Sequence, residues 1–592
     1  MAFRYGSRRD FPLISQGVGP PFPSLETALT TWKIGRTTIK LDAQAATPAA
    51  SPAPSPARPA IFDEIKAAIE ARDYAQAGVL AEQALAAGHE HPLVLNLAAL
   101  RAEEDGRLEE ALERLQRAVI LAPKDHGARN ALGLCLSRME RHAEALAAFD
   151  QALAIAPDFA GAHAARGGTF EALGRLPEAD AAHRRALELQ PGNHVALAGL
   201  ANLASRRGAH AEAKALAEQV LAMDPAYPDA VRVAAAAELA AGDAPAAQRR
   251  LEALIADPRI HPQQLAQTQG ALGDVLDAQD RPAEAFAAYA ACNMGLWRVY
   301  APAFGGHPSA LEFARGMIER LDEIPASAWT ATPRPLPQGV TGHVFLMGFP
   351  RSGTTLLEQV LASHPQVETL EERETLSAAL RAFLATPQHL DRLAAASDSE
   401  LGALREAYWA RARDEGAELA GKVFVDKHPL NTFKLPLIAR LFPQAKILFA
   451  RRDPRDVVLS CYRRRFAMSG SAYQLLTVPG AAGYYDAAMQ IADRMAPAMG
   501  AQTHVVRHED LIADFDRVAR AACDAVGIGW TEAMRDFAER VKDRGIATPS
   551  AAQLVGGLSA EGVGQWRRYR AQLAPALPRL APWVERFGYA VE

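Results

Sequence analysis

Proline returns every 34 residues, at Pro123, Pro157, Pro191 and Pro225, and a period held that long leaves a chain few folds to choose from. Gly106, Gly174, Gly208 and Gly242 keep the same register, with Glu140 in the remaining slot, and Ala111, Ala145, Ala179, Ala213 and Ala247 share it. Within each period an apolar run at helical spacing ends near the glycine, and a second begins near a Glu-Ala pair. The unit is therefore two helices joined by a tight turn. The small alanine lets the pair approach closely, and the proline begins the next unit, where a helix N-terminus lacks N–H partners in any case. Arg72 and Ala77 hold the register one unit upstream, and Asp280-Arg281-Pro282-Ala283-Glu284-Ala285 repeats the turn four residues late. About seven units fit between Ile61 and Asn293.

A 34-residue unit of this kind resembles the tetratricopeptide repeat. The resemblance implies an all-α superhelix whose concave face takes a peptide or protein partner, or else serves as a spacer or dimerisation platform. At 592 residues the chain exceeds one hydrophobic core. The expected limits are 1–60 for a disordered tail and Ala/Pro/Ser linker, 61–309 for the repeats, 310–340 for a connecting segment and 341–592 for a second domain. Ala45 to Pro59 is almost entirely Ala, Pro and Ser, which bury too little surface to offset ordering entropy.

Net charge of −5 gives no case for a nucleic-acid binder. Cys135, Cys292, Cys461 and Cys523 lie far apart, offer neither a disulfide framework nor a zinc site, and suit a reducing compartment. No run of about 18 apolar residues is present to span a membrane. Ser7-Arg8-Arg9-Asp10-Phe11 has the look of a twin-arginine signal, but no apolar segment follows it, so the expected location is cytoplasmic.

From His343 onward strands alternate with helices, the expected strands being Val344–Gly348, Lys422–Asp426, Lys446–Ala450 and Thr503–Arg507. That alternation predicts an α/β domain with a parallel sheet, its ligands at the carboxyl edge of the strands. The first strand runs into Gly348-Phe349-Pro350-Arg351-Ser352-Gly353-Thr354-Thr355 and then a helix-spaced series, a strand–loop–helix phosphate site. Gly348 and Gly353 keep the glycine spacing of G-x-x-x-x-G-K-S/T and Thr355 fills the hydroxyl position, but Thr354 stands where the lysine should be. Nucleoside-triphosphate chemistry needs that amine and Mg²⁺ on a highly anionic group. A sulfuryl group bears less charge, and arginine and hydroxyl donors suffice for it without a metal. A P-loop kinase is disfavoured on the same ground.

A second strand–loop–helix lies at Lys446 to Ser460, with Asp453 as cap and Pro454 at the first helical position. Arg452 and Ser460 are placed to converge on one anion, a guanidinium fork with a hydroxyl. From Lys446 to Phe466 there are seven basic residues and two acidic, a positive field suited to a doubly anionic nucleotide.

Residues from about 341 to 592 resemble the sulfotransferases that use 3′-phosphoadenosine-5′-phosphosulfate (PAPS), and within them the protein-tyrosine sulfotransferases. The likeness rests on Pro350-Arg351-Ser352-Gly353-Thr354-Thr355-Leu356, the following His364-Pro365, the acidic pair Glu371-Glu372, Lys427-His428-Pro429, Arg452-Asp453-Pro454-Arg455-Asp456 with Ser460, and Thr548-Pro549-Ser550-Ala551-Ala552-Gln553. Fusion to tetratricopeptide repeats resembles a bacterial subgroup. The resemblance implies a P-loop-type fold, PAPS as donor, no metal, and sulfuryl transfer to an acceptor hydroxyl. It implies that Arg351, Ser352, Gly353, Thr354 and Thr355 hold the 5′-phosphosulfate, and that Arg452, Ser460 and Arg464 hold the 3′-phosphate. His508 falls where the family has a tyrosine near the nucleotide. Glu372 would be the base, Lys427 would stabilise the bridging oxygen and Ser550 would assist.

The chain departs from the family after the acidic pair, where Arg373-Glu374 replaces Thr-Arg. The acceptor is thus left open between a peptide or protein tyrosine presented by the repeats and a saccharide, lipid or small molecule. An inactive domain on a repeat-based binding protein is the other class of reading. From the residues alone, Glu368, Glu371, Glu372 and Glu374 crowd one stretch, several of them as solvated helix-face charges, with Glu371 or Glu372 best placed for a base. His428 and His364 are the alternatives. Trp566-Arg567-Arg568-Tyr569, after Gly562-Val563-Gly564, is read as a late basic loop over the nucleotide or the start of an exposed amphipathic helix.

Overall fold

The structure, a computed structural model, describes residues 60–71, 73–139, 141–305, 308–544 and 557–591. The expected disordered tail, Arg72, Glu140 and Ser550 lie outside the described residues. The chain divides into two compact units, one ending at Val233 and the other running from Ala234 to the C-terminus, which also takes in Ser205–His210.

Helical pairs fill the chain from Ala60 to Phe304. First helices begin at Pro92, His126, Ala160, His194, Pro228 and Pro262, and second helices at Tyr74, Leu108, His142, Leu176, His210 and Ala244, both series in steps of 34. Counting Ala60–Glu70 with Tyr74–Ala86 and Pro262–Ala278 with Pro282–Phe304, there are seven pairs among the described residues. The turn glycines take left-handed backbone, φ being 75° at Gly106 and 69° at Gly174. In the displaced last turn that slot belongs to Asp280, with φ of 57°, one of the few side chains that tolerate it. The periodic alanines Ala111, Ala145, Ala179, Ala213 and Ala247 are all fully enclosed.

The prolines behave differently from the expectation. Pro123 and Pro157 do not open a helix; they sit in the turn between units, after helices that end at Leu121 and Ile155. A ring that cannot donate an N–H ends the preceding helix. In the unit after Pro123 the next helix is started by Asp125, whose side chain accepts from the N–H groups of Gly127 and Ala128.

The second unit holds a five-stranded parallel sheet: β1 Gly342–Met347, β2 Val367–Glu371, β3 Val423–Lys427, β4 Lys446–Arg451 and β5 Thr503–Arg507, in the order β2-β3-β1-β4-β5. Four of these are the expected strands. The fifth, β2, runs through the acidic stretch, where the crowded glutamates predict a helix face. It is an edge strand, with only Val367 and Leu370 buried, so it shows no apolar run. On β1 the alternation splits two cores. Phe345 and Met347 pack with helices Leu435–Leu441 and Val478–Met499, while Val344 and Leu346 pack with Leu357, Val360 and Leu361 of helix Thr354–Ala362 and with Val518 and Ala522.

The last helical pair and the segment after it belong to this same core. Leu276, Ala285 and Tyr289 of the hairpin share the first core with Phe345 and Trp566. Helix Ala310–Glu323, started by a Ser309/Glu312 capping box, buries Ala314, Met317, Ile318 and Leu321 there. The stretch expected to connect two domains is thus a packed element of the second. No helix among the described residues is long and apolar enough to cross a membrane.

Candidate active site

Parallel register lines up the strand ends. Leu346 of β1 pairs with Lys427 of β3, which pairs in turn with Glu371 of β2; across the sheet, Met347 pairs with Phe449 and Arg451 with Arg507. One edge therefore presents Glu371-Glu372, Lys427-His428, the loop after Met347, Arg451-Arg452 and Arg507-His508. Residues far apart in sequence meet because five strands end at one level.

The loop after β1 closes with Gly353 at φ of 101°, and helix Thr354–Ala362 follows at once. A Cβ on Gly353 would lie 2.8 Å from His508 Nδ1, so glycine is required both by the turn and by the imidazole packed on it. The Ser352 hydroxyl is turned inward and accepts from the Phe349 N–H at 3.3 Å. Arg351 and Glu372 both hold left-handed backbone, at φ of 70° and 49°. Strain of this kind in non-glycine residues persists where the surroundings fix it, and it is found at two facing points of this edge.

Helix Pro454–Arg463 starts at Asp453, which accepts from the Arg455 N–H, with Pro454 in the first turn. It brings the Ser460 hydroxyl to Arg351, whose Nε donates to it at 3.0 Å. Arg452 sits at the base of the same loop: Nη1 donates to the Arg351 carbonyl at 3.1 Å, Nη2 to the Gly562 carbonyl, and Nε has no partner among the described residues. Burial and the nearby charges of Arg464 and Arg452 push the Arg351 guanidinium far down from its ordinary value. Arginine does not give up its proton in proteins, so the shift records how closely the three guanidiniums are crowded. His508 Nδ1 is also buried without a partner among the described residues, and burial with the charges of Arg452 and Arg351 holds its ring neutral, its pKa lowered to about 3.

On the other side of the loop lies a buried ammonium. Lys427 Nζ is 2.7 Å from Glu372 Oε1, 3.1 Å from Glu358 Oε2 and 3.7 Å from Glu371 Oε1, with no exposure of its own. Burial opposes its charge, but the three carboxylates outweigh burial and raise its pKa. Glu372 is raised by burial and held back by Lys427, and it also feels Arg351. Glu358, fully enclosed, is pushed up to about 8 by burial against the pull of Lys427. Glu358 and Glu372, both raised by burial and both held on the one buried ammonium, are costly to ionise together.

Glu358 is the site residue that sequence reading missed. A single glutamate one turn into Thr355-Leu356-Leu357-Glu358 looks like solvent-facing helix, and only the apolar residues on every side of it, Leu356, Leu357, Val360, Leu361 and Ala362, signal a helix buried all round. The histidine alternatives for a base recede. His428 Nδ1 accepts from the Leu430 N–H at 3.2 Å, so its neutral ring carries the proton on Nε2 and has nothing left to accept with. His364 lies past the far end of the loop helix, where its Nδ1 accepts from the Gln366 N–H.

The late loop meets the site at its glycines. Asp456 accepts from the N–H groups of Gly564 and Trp566 at 2.7 and 2.8 Å, and Arg455 stacks over the buried Trp566 ring. Arg568 points elsewhere, pairing with Asp277 and Asp280 of the last repeat hairpin. On the short helix Gln565–Tyr569, Trp566 and Tyr569 are buried while Arg567 and Arg568 are exposed, so the stretch opens an amphipathic helix, with Gly562 before it held against Arg452.

Residues 343–532 match the family model described as sulfotransferase family, and residues 127–159 match the tetratricopeptide repeat. An uncharacterized protein of Aquifex aeolicus is 27% identical over 247 residues, 40% of this chain and 31% of that one, so the chain spans less than a third of that relative. Protein-tyrosine sulfotransferase 2 of Gallus gallus is 24% identical over 258 residues, 42% of this chain and 69% of that one. Protein-tyrosine sulfotransferase 1 of Danio rerio is 26% identical over 263 residues, 42% and 72% respectively. Taken with the strand–loop–helix after β1 and its parallel sheet, these matches identify the chain as carrying a sulfotransferase-family domain behind a run of tetratricopeptide repeats.

Proposed function

We propose that the protein transfers a sulfuryl group from PAPS to an acceptor hydroxyl, with residues 341–592 as the catalytic domain and the repeats of 61–309 presenting a peptide or protein acceptor. The observation that carries this reading is the convergence of Arg351, Arg452 and Ser460 at the mouth of the loop, with the charge of Arg464 beside them. Arg351 through Thr355 receive the 5′-phosphosulfate, and Arg452, Ser460 and Arg464 the 3′-phosphate, with the His508 ring against the loop.

The acceptor oxygen attacks sulfur in line, forming the new S–O bond, as the bond from sulfur to the 5′-phosphate breaks. Its electron pair goes to the bridging oxygen, where Lys427 and the loop stabilise the charge. Glu372 takes the acceptor proton, for which its raised pKa suits it. The nucleotide product is adenosine 3′,5′-bisphosphate. Ser550, assigned an assisting role, lies outside the described residues. Tyrosine is favoured as acceptor by the named activity of the Gallus and Danio relatives. A cytoplasmic setting fits the four cysteines, which are buried and in no disulfide among the described residues.

Transfer of radiolabelled sulfate from PAPS to an array of tyrosine peptides, glycans and lipids tests the acceptor. Label on tyrosine peptides is the expected result. Label confined to glycans or lipids would replace the acceptor class, and no label on any acceptor would count against transfer itself.

A further inference from the structure

Three arginines in a row end and follow the helix that carries Ser460, and they do not share one fate. Arg464 is the first residue past helix Pro454–Arg463 and has extended backbone, with φ of −92° and ψ of 138°. Side chains on extended backbone alternate in direction. Arg463 and Arg465 turn to the last repeat hairpin, Pro262–Ala278 and Pro282–Phe304: Arg463 Nη2 donates to Asp277 Oδ2, and Arg465 Nη2 donates to Asp274 Oδ2 at 2.6 Å. Asp274 and Asp277 are three apart on one helix and so lie on one face.

The hairpin is shaped for these two side chains. A Cβ on Gly270 would lie 2.8 Å from Arg465 Cδ, so the glycine makes the room in which that arginine lies. The Arg463 guanidinium sits 5.3 Å from the Tyr289 ring centre, and Tyr289 donates its hydroxyl to Asp274 at 3.0 Å. Asn293 fastens the backbone just before, donating to the Tyr462 carbonyl at 2.9 Å. Asp277 also accepts from Tyr569 at 2.6 Å and from Arg568 at 2.8 Å, which ties in the segment after the late loop. With both neighbours gripped by the hairpin, the backbone at Arg464 is fixed between them, and its charge acts on both Asp274 and Arg351.

We propose that Asp274 and Asp277 of the last repeat are positioning residues of the nucleotide site, acting through Arg463 and Arg465 to aim Arg464 at the 3′-phosphate. The proposal rests on the sulfuryl-transfer reading, since it takes Arg464 to be a ligand of that phosphate. It makes the final repeat a working part of the enzyme, and any partner that shifts this hairpin shifts donor affinity with it.

Calorimetry on the full chain with adenosine 3′,5′-bisphosphate and with adenosine 5′-monophosphate tests it. Asp277→Asn is expected to weaken the bisphosphate about tenfold, the value of one misdirected charge-assisted hydrogen bond, while the monophosphate is bound as by the wild type. Asp277→Glu should restore most of the difference. Should Asp277→Asn fail to fold, Arg463→Gln leaves Asp277 with Arg568 and Tyr569 and should show the same selective loss. Equal weakening of both nucleotides, or no weakening of either, overturns the proposal. If the wild type does not bind the bisphosphate at all, it is the sulfuryl-transfer reading that falls.

Discussion

Glu372→Gln is expected to lower turnover by about 10²–10⁴-fold, the contribution of a well-placed general base, while nucleotide affinity stays largely as it was. Glutamine keeps the shape and can still accept from Lys427 Nζ, which now lies 2.7 Å from Glu372 Oε1, so the fold is spared the cost of stranding that ammonium. The pH profile gives a second reading of the same residue. Burial raises the Glu372 carboxyl above its ordinary range and Lys427 holds part of that rise back. The base works ionised, so the wild-type rate should climb with pH along an acid limb displaced upward from that of a free glutamate. The residual rate of Glu372→Gln should lack that limb. A full-sized limb surviving in the variant would assign the base elsewhere.

A chain shortened to begin at residue 341 is expected to be insoluble, although that is where the family likeness begins. It lacks the last repeat hairpin and helix Ala310–Glu323, and it opens the core at Leu276, Tyr289, Met317, Ile318 and Leu321. The core face those side chains covered is returned to water, and at about 25 cal/mol per Å² of apolar surface uncovered the loss is large against the whole stability of an ordinary domain, about 5–15 kcal/mol. Arg463, Arg465 and Arg568 lose their aspartates as well. A chain beginning at Ala241 keeps both elements, and it should melt cooperatively and bind nucleotide. Thermal melting of the two shortened chains decides the matter. Equal stability of the two would mean that the hairpin is an ornament on the catalytic domain.

The sequence made legible whatever is fixed by backbone geometry. Gly353 and the 34-residue series announce themselves because a tight turn or a close helix pair admits few residue types, and Asp453-Pro454 because caps do too. β2 was hidden because an edge strand with two buried residues lacks an apolar signature. Glu358 was hidden because burial of one carboxylate is settled by Lys427, which comes from another strand 69 positions along. The union of hairpin and α/β core was hidden for the same reason. Asp274 and Asp277 are ordinary helix-surface residues until Arg463, Arg465, Arg568 and Tyr569 arrive from nearly 200 to 300 residues away. Long-range pairing of charges leaves no local period to read. The loop's missing lysine belongs to the same class. Thr354 shows that no amine is supplied there, and the ammonium buried nearest the loop helix is Lys427, at the end of β3.

The central claim is that two groups of donors, one at Arg351 to Thr355 and one at Arg452, Ser460 and Arg464, grip the two ends of a single 3′-phosphorylated nucleotide. Calorimetric titration of the full chain with adenosine 3′,5′-bisphosphate and with ATP, each with and without Mg²⁺, tests it most directly. Tight binding of the bisphosphate, indifferent to Mg²⁺ and well above any affinity for ATP, is the expected result; preference for ATP, or binding that requires Mg²⁺, would contradict it.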